Sequence, residues 1–303
     1  MFNLKFYFLT LFSHAGIVDW QLVAQHYAKD FTMAKGDIRL QHAVVDIIVT
    51  DSSCEEGLPI RGDDATDTDS MSSVSESSLI TVVTEGNPHV KMRHLVTCAG
   101  MYSDRLSTMT GGSPLPKMIP FRGEYLLLKK EKSNLVKGNI YPVPDPKFPF
   151  LGVHFTPRMN GDVWLGPNAV LGFAREGYSF SDINWTDLYE ILTYEGTIQI
   201  ARKHGLFGLT EIYKSVVLSA QVKELQKYVP DLKVEDVSRG PSGVRAQAVD
   251  RDGTLVEDFI FDDSQRKILH VRNAPSPGAT SSLAIGKMIV DKAEALFDIS
   301  SKK

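Results

Sequence analysis

The sequence predicts a mixed α/β fold, and three observations carry that expectation. Runs rich in β-branched residues alternate with apolar residues at helical spacing at both ends of the chain. Between residues 115 and 180, strand-like runs are separated by proline- and glycine-rich turns, the mark of an antiparallel sheet. Residues 182–228 then carry apolar residues at helical spacing. This order fits one domain interrupted by an insertion: a first unit over 1–114, an antiparallel unit over 115–238, and a return to the first over 239–303. A string of small domains is the competing layout.

The elements follow in order. "VDWQLVAQHYAKDFTMAKG" places Val18, Leu22, Val23, His26, Tyr27 and Phe31 along one face, with Asp19 to start a helix and Gly36 to stop it. "IRLQHAVVDIIVT" (38–50) is a strand. Residues 51–78 are acidic and serine-rich with almost no apolar content, so they cannot bury enough surface to fold and are expected to be a disordered surface loop. "SLITVVTE" and "VKMRHLVTCAG" are two more strands. In the middle section "IPFRGEYLLLKK", "GVHFTPRM" and "DVWLGPNAVL" form the antiparallel sheet. Helices are expected over 182–204 and 207–228, and two strands around an Asp252-Gly253 turn. Ile268 to Val271 is a short buried strand, and Leu283, Ile285, Met288, Ile289, Ala293 and Leu296 mark a closing helix.

Composition narrows the function classes. The chain has 303 residues, 43% hydrophobic and 23% charged, with a formal net charge of −4. No dense basic run offsets that charge, so no nucleic-acid partner is expected. Two cysteines, Cys54 and Cys98, cannot build a disulfide framework, which favours the interior of a cell or organelle. No zinc spacing, Walker loop or G-x-S-x-G elbow occurs, so metal, P-loop and serine-hydrolase chemistry find no support and no metal is expected. The opening "MFNLKFYFLTLFS" is too short to span a bilayer. It reads as the core of a signal peptide, a buried strand or a start imposed by an alternative transcript.

Several stretches carry groups suited to a site. "HVRNAPSPGATSSLAIG" (270–286) turns from a strand through small residues into a helix, a geometry that presents bare backbone N–H groups. "LVTCAGMYSDRL" (95–106) ends a strand in Ala99-Gly100, where backbone can approach a ligand closely or simply turn tightly. "PFRGEYLLL" puts Arg122, Glu124 and Leu126 on one strand face and Phe121, Gly123 and Tyr125 on the other. Arg122 can offer its fork to an anion, or be a surface arginine on an edge strand. His154 and Asn168 lie on neighbouring strands in a proline-rich section, where a histidine is either a base or a satisfied core residue. "GPSGVRAQAVDRDG" puts Arg245 and Gln247 on one face, to clasp a carboxylate or a heterocycle edge, or to be solvated.

Together "VTCAGMYSDR", "PFRGEYLLLK", "LVKGNIYPVPDPKFPFLGVHFTPRMNGDVWLGPNAVLGFAREGY", "GPSGVRAQAVDRDGTLVEDFIF" and "ILHVRNAPSPGATSSLAIG" resemble the L-2-hydroxyglutarate dehydrogenase family, FAD-dependent enzymes of the D-amino-acid-oxidase-like superfamily. The resemblance runs from about Gly16 to the end, leaving out 51–78. It implies a Rossmann-like FAD-binding domain interleaved with the antiparallel substrate domain. It also implies oxidation of L-2-hydroxyglutarate to 2-oxoglutarate, with hydride passing from C2 to the flavin. A mitochondrial, inner-membrane-associated setting and a membrane electron acceptor are further implications. The cofactor contacts it implies are Ala99, Gly100, Arg122, Gly123, Asn273, Ser276, Pro277, Gly278, Ala279 and Thr280. Chemistry then assigns His154 as proton acceptor from the 2-hydroxyl, with Tyr125 near flavin or substrate. Arg245 and Lys214 would hold the two carboxylates, supported by Asn168 and Gln247.

The sequence departs from that family at one point. It contains no G-x-G-x-x-G and no acidic ribose partner after one. The chain is therefore expected to be the carboxy-terminal two-thirds of such an enzyme, either active or a non-catalytic isoform that serves as an interaction partner. An amine-oxidising relative of the same superfamily is the third reading.

Overall fold

A computed structural model describes residues 16–50, 79–143 and 152–299. Helix α1 (Trp20–Met33) opens the described chain, and Asp19 caps it by accepting from the N–H groups of Gln21 and Leu22 at 3.0 and 3.3 Å. The helix stops as expected, but Lys35 rather than Gly36 takes the left-handed conformation, at φ 68°. No residue of α1 is buried. Strand β1 (Val44–Thr50) is shorter than the 38–50 run suggested, because residues 38–43 find no partner strand. It pairs with β2 (Leu79–Thr84), which pairs in turn with β3 (Val90–Met92), to make a three-stranded antiparallel sheet. The acidic stretch 51–78 lies outside the described residues.

The run "VKMRHLVTCAG" is not one strand. It divides into β3 and β4 (Leu95–Thr97), which belong to different sheets. Strand β4 lies parallel to β11 (Ile268–Asn273), and β10 (Ile260–Gln265) completes that second sheet on the far side of β11. All six residues of β11 are buried, as a strand covered on both faces requires. After β4 comes a 3-10 turn, Gly100–Tyr102, and then α2 (Ser103–Met109). After β11 comes α6 (Ser282–Phe297), which fully buries no residue; Ile285, Met288, Ile289 and Leu296 are half-buried, while Leu283 and Val290 are exposed. Ile47, Ile80 and Ile268 pack with Leu95, Leu106 and Met109, joining both small sheets to α2.

The middle section forms the expected antiparallel sheet. Strand β5 (Lys117–Leu128) is its spine, flanked by β7 (Val163–Gly166) and β8 (Val170–Leu171) on one side and by β9 (Val237–Val249) on the other. Strand β6 (His154–Pro157) pairs outside β7. Arg122 therefore does not sit on an edge strand. The helical section breaks into α3 (Trp185–Thr193), α4 (Glu195–Val216) and α5 (Leu218–Leu225), with breaks at Tyr194 and Val217 rather than near 205, where His204 instead marks a kink. Leu126, Phe155 and Leu165 from the sheet pack on Val222 and Leu225 of α5, all at most 2% exposed. Asp252-Gly253 does turn the chain, with Gly253 at φ 82°. Its second arm meets β9 only at the Val249–Leu255 bridge, however, and β10 pairs with β11 instead. The second arm thus returns the chain to the first sheet system.

Candidate functional site

Strand alternation sorts the site residues onto two faces. On one face of the large sheet stand Tyr125 of β5, His154 of β6, Trp164 of β7 and Arg245 of β9, brought together by the register Phe121–Arg245 and His154–Gly166. The Tyr125 ring lies 6.2 Å from His154, edge-on, and 5.2 Å from Trp164. Tyr141 stacks on His154 at 4.4 Å and 11°, and Arg158 lies over Trp164 at 4.4 Å. Sequence reasoning missed Tyr141, Trp164 and Arg158. Of these, Trp164 follows from pairing, because it is the partner of Thr156 in the β6–β7 register and so shares the face of His154.

The protonation of His154 follows from its one recorded hydrogen bond. Its Nδ1 lies 3.2 Å from the Gly152 carbonyl oxygen. A carbonyl can only accept, so Nδ1 carries the proton and Nε2 keeps its lone pair. Burial holds the imidazole pKa below its usual value, the Gly152 bond opposes that in part, and the Arg245 charge adds a smaller lowering. His154 is thus neutral at pH 7 with a bare nitrogen, the state of a general base. Burial also lowers the Arg245 pKa from its high ordinary value, and raises the Tyr125 phenol while Arg245 opposes that rise.

The opposite face holds Arg122, Asn168 and Lys214, which the structure does not bring to His154. Arg122 is fully buried; its guanidinium pairs with Glu124 at 2.9 Å and donates to the Ser179 carbonyl at 3.0 Å. Asn168 accepts from the Glu124 backbone N–H and donates to its carboxylate. Lys214 is held between Glu211 at 2.8 Å and Glu224 at 2.5 Å. Burial pulls the Lys214 ammonium down, but its bonds to the two glutamates outweigh that and raise its pKa. All three side chains already have partners. Gln247 shares the Arg245 face, yet its amide donates to the Ala248 and Val256 carbonyls. Gly123 is covered as well, since a Cβ there would meet Pro167 at 3.0 Å and the Asn168 carbonyl at 3.3 Å.

The two small-residue turns fall at the same end of neighbouring parallel strands, β4 and β11, where ligands settle in α/β sheets. Gly100 is exposed at φ 51°, with open space where a Cβ would point. Ser276, Pro277, Ala279 and Thr280 are exposed too. Asn273 is buried and its side chain is committed to the Val256 and Asp258 carbonyls, so only its backbone begins the turn. The 3-10 turn Gly100–Tyr102 packs against β5, β9 and β11, which sets it beside the large sheet. Buried links fix that placement. Arg175 forms a two-pronged pair with Asp104 of α2 at 2.6 and 2.9 Å and also donates to the Met101 carbonyl. Asp104 accepts from the Met118 N–H at the start of β5. Arg105 reaches Asp187 and Glu190 of α3 at 2.7 and 2.9 Å. Beneath the turns, His270 bridges Thr97 at 2.7 Å and Thr110 at 2.8 Å and is a satisfied core residue. Among the described residues no cluster of His, Cys, Asp or Glu is arranged to hold a metal.

Two turns lie at the mouths of parallel strands, beside an antiparallel sheet whose one face carries a neutral imidazole and an arginine, and the class of protein is given by the family match. The chain matches the FAD dependent oxidoreductase family over residues 6–292 and belongs to it. Among curated proteins it is similar to mitochondrial L-2-hydroxyglutarate dehydrogenase of Nematostella vectensis, 50% identical over 94% of this chain and 61% of that protein. The human protein of that name is 49% identical over 94% of this chain and 59% of its own length. The chain thus spans about three-fifths of the length of these relatives. Among solved structures, a glycine oxidase from Bacillus cereus overlays 91% of this chain and 56% of its own, with 15% identity and a TM-score of 0.47.

The donors present suit a flavin. Backbone that is exposed at Gly100, Ala279 and Thr280 and half-buried at Ala99 and Gly278 can offer N–H groups to a ring carbonyl and a ribityl chain. The G-x-G-x-x-G that would cradle a pyrophosphate does not occur in the sequence.

Proposed function

We propose that this chain takes part in FAD-dependent oxidation of L-2-hydroxyglutarate to 2-oxoglutarate. The observation that carries the reading is the cluster of neutral His154, Arg245 and Tyr125 on one sheet face, in a chain half identical to enzymes named for that substrate. Bound FAD supplies a two-electron acceptor for the hydride leaving C2. The turns at Ala99-Gly100 and Asn273–Thr280 hold it. Nε2 of His154 takes the hydroxyl proton as C2 is oxidised, and Arg245 orients a substrate carboxylate through charge-assisted bonds. Tyr125 and Trp164 wall the site and exclude water. With Lys214 paired on the far face, Arg158 is the better placed cation for the second carboxylate.

The test is direct. The chain is folded with excess FAD, desalted and examined by visible absorption, then mixed anaerobically with L-2-hydroxyglutarate, glycine or sarcosine. Retained flavin bleached by L-2-hydroxyglutarate alone is the expected result. A folded chain that keeps no flavin would sink the reading for this chain and favour a non-catalytic role. Bleaching by glycine or sarcosine would move it to the amine-oxidising branch.

Mitochondrial residence is indicated by the names of the relatives, and an inner-membrane association with a membrane electron acceptor belongs to the same proposal. No helix among the described residues is long and apolar enough to cross a bilayer. Helix α4 offers a different mode of contact. Leu206, Leu209, Tyr213 and Val216 form an exposed stripe beside Arg202 and Lys203, the pattern of a helix that lies on a membrane surface. Leu206→Glu with Leu209→Glu is expected to lower co-sedimentation with anionic vesicles at least ~10-fold, since each buried leucine is worth roughly 1.5–3 kcal/mol. Unchanged binding would remove α4 as the contact.

A further inference from the structure

The large sheet borders a cavity that lies mainly on the face away from His154, with Tyr125 of β5 also at its wall. It measures about 390 Å³ and opens where the β5–β9 register slips between Glu124 and Leu126. Its walls are the Tyr178–Phe180 loop, the end of α4 at Ser215, Gln221 of α5, and Arg239 and Ser242 of β9.

The polar groups there are unequally satisfied. Glu124 at the base is saturated: Arg122 pairs with it at 2.9 Å, Asn168 donates to it at 3.2 Å, and the Ser215 hydroxyl donates to it as well. The Arg122 charge is therefore neutralised within the wall. Ser242 donates to the Tyr178 carbonyl. Arg239 differs. It lies exposed at the mouth, donates to the neutral Ser215 and Val216 carbonyls at 2.7 and 2.9 Å, and among the described residues enters no ion pair. Gln221 is 2% exposed and its Nε2 has no acceptor. The Glu211–Lys214–Glu224 cluster is adjacent but does not line the cavity.

The buried Gln221 amide lacks an acceptor, and the Arg239 guanidinium at the mouth beside it favours an acceptor that carries negative charge. A single unneutralised cation suits one carboxylate better than a dianion such as phosphate. Tyr178 and Phe180, both half exposed at the rim, suit an apolar tail behind that head. We propose that this cavity binds a small aliphatic monocarboxylate, its head between Gln221 and Arg239 and its chain against Tyr178 and Phe180. The proposal does not rest on the reaction assigned to the other face.

Hexanoate is the probe, titrated into the 303-residue chain by calorimetry and ligand-observed NMR, with hexanamide and inorganic phosphate as comparisons. Hexanoate is expected to bind at least tenfold more tightly than either. Arg239→Gln should weaken it tenfold or more, while Arg245→Gln, on the opposite face, should leave it unchanged. If Arg239→Gln does not fold, Gln221→Leu, which removes the orphaned donor without adding a charge, should weaken binding severalfold with the thermal midpoint kept. Equal binding of hexanamide, loss in Arg245→Gln, retention in the variant of Arg239 or of Gln221, or no binding by the folded chain would each overturn the proposal.

Discussion

His154→Gln is expected to lower kcat for L-2-hydroxyglutarate by ~10²–10⁴-fold, the usual worth of a positioned general base. Glutamine keeps much of the shape beside Tyr141 and still offers a donor to the Gly152 carbonyl, so flavin retention should not change. The pH profile supplies the stricter check. A base must be unprotonated, so the rate is lost as pH falls through the His154 pKa. Burial and Arg245 depress that pKa, so the acid limb of kcat/KM should lie below the ordinary imidazole value of ~6.5. Arg245→Gln removes the neighbouring charge and lets the pKa rise, moving the acid limb to higher pH while raising KM through the lost carboxylate contact. A limb that stays put in Arg245→Gln, or a His154→Gln enzyme of unchanged kcat, would end the assignment.

Arg175→Met is expected to destabilise the protein by ~3–5 kcal/mol, a large part of the ~5–15 kcal/mol that holds a folded domain. The arginine is 5% exposed and Asp104 is 4% exposed. Deleting one partner leaves an uncompensated buried carboxylate, together with a Met101 carbonyl that loses a donor. Chemical denaturation followed by circular dichroism measures the loss. The double change Asp104→Leu, Arg175→Met should recover part of it, because an apolar pair leaves no charge stranded. Arg175→Lys should remain impaired, since an ammonium cannot span both carboxylate oxygens. If Arg175→Met unfolds at the wild-type denaturant concentration, the network does not hold the Gly100–Tyr102 turn against the large sheet in the way its geometry implies.

These outcomes bear on how much of the molecule could be read in advance. Local patterns sufficed for β11 and α6, for the Asp19 cap, and for the two faces of β5, because alternation and capping are properties of neighbouring residues. They failed where partners are remote. "VKMRHLVTCAG" has the composition of one strand, yet β3 needs β2 and β4 needs β11, some 170 residues away. The arm after Asp252-Gly253 had the form of a hairpin and paired instead with β11.

The candidate site shows the same division. The sequence alone put forward His154, Arg245 and Tyr125, and the small-residue turns after two strands, as candidates, because residue type and motif order suffice for that. Only the tertiary structure decided which of the polar residues act together. Arg122, Asn168 and Lys214 lie on the other face, each with a close ionic or amide partner there, while Tyr141 and Trp164 join His154 on the face that Arg245 shares. The physical reason is that a sheet has two sides and a buried charge needs a partner. Which side a residue faces follows from its own strand, but what waits there comes from distant chain.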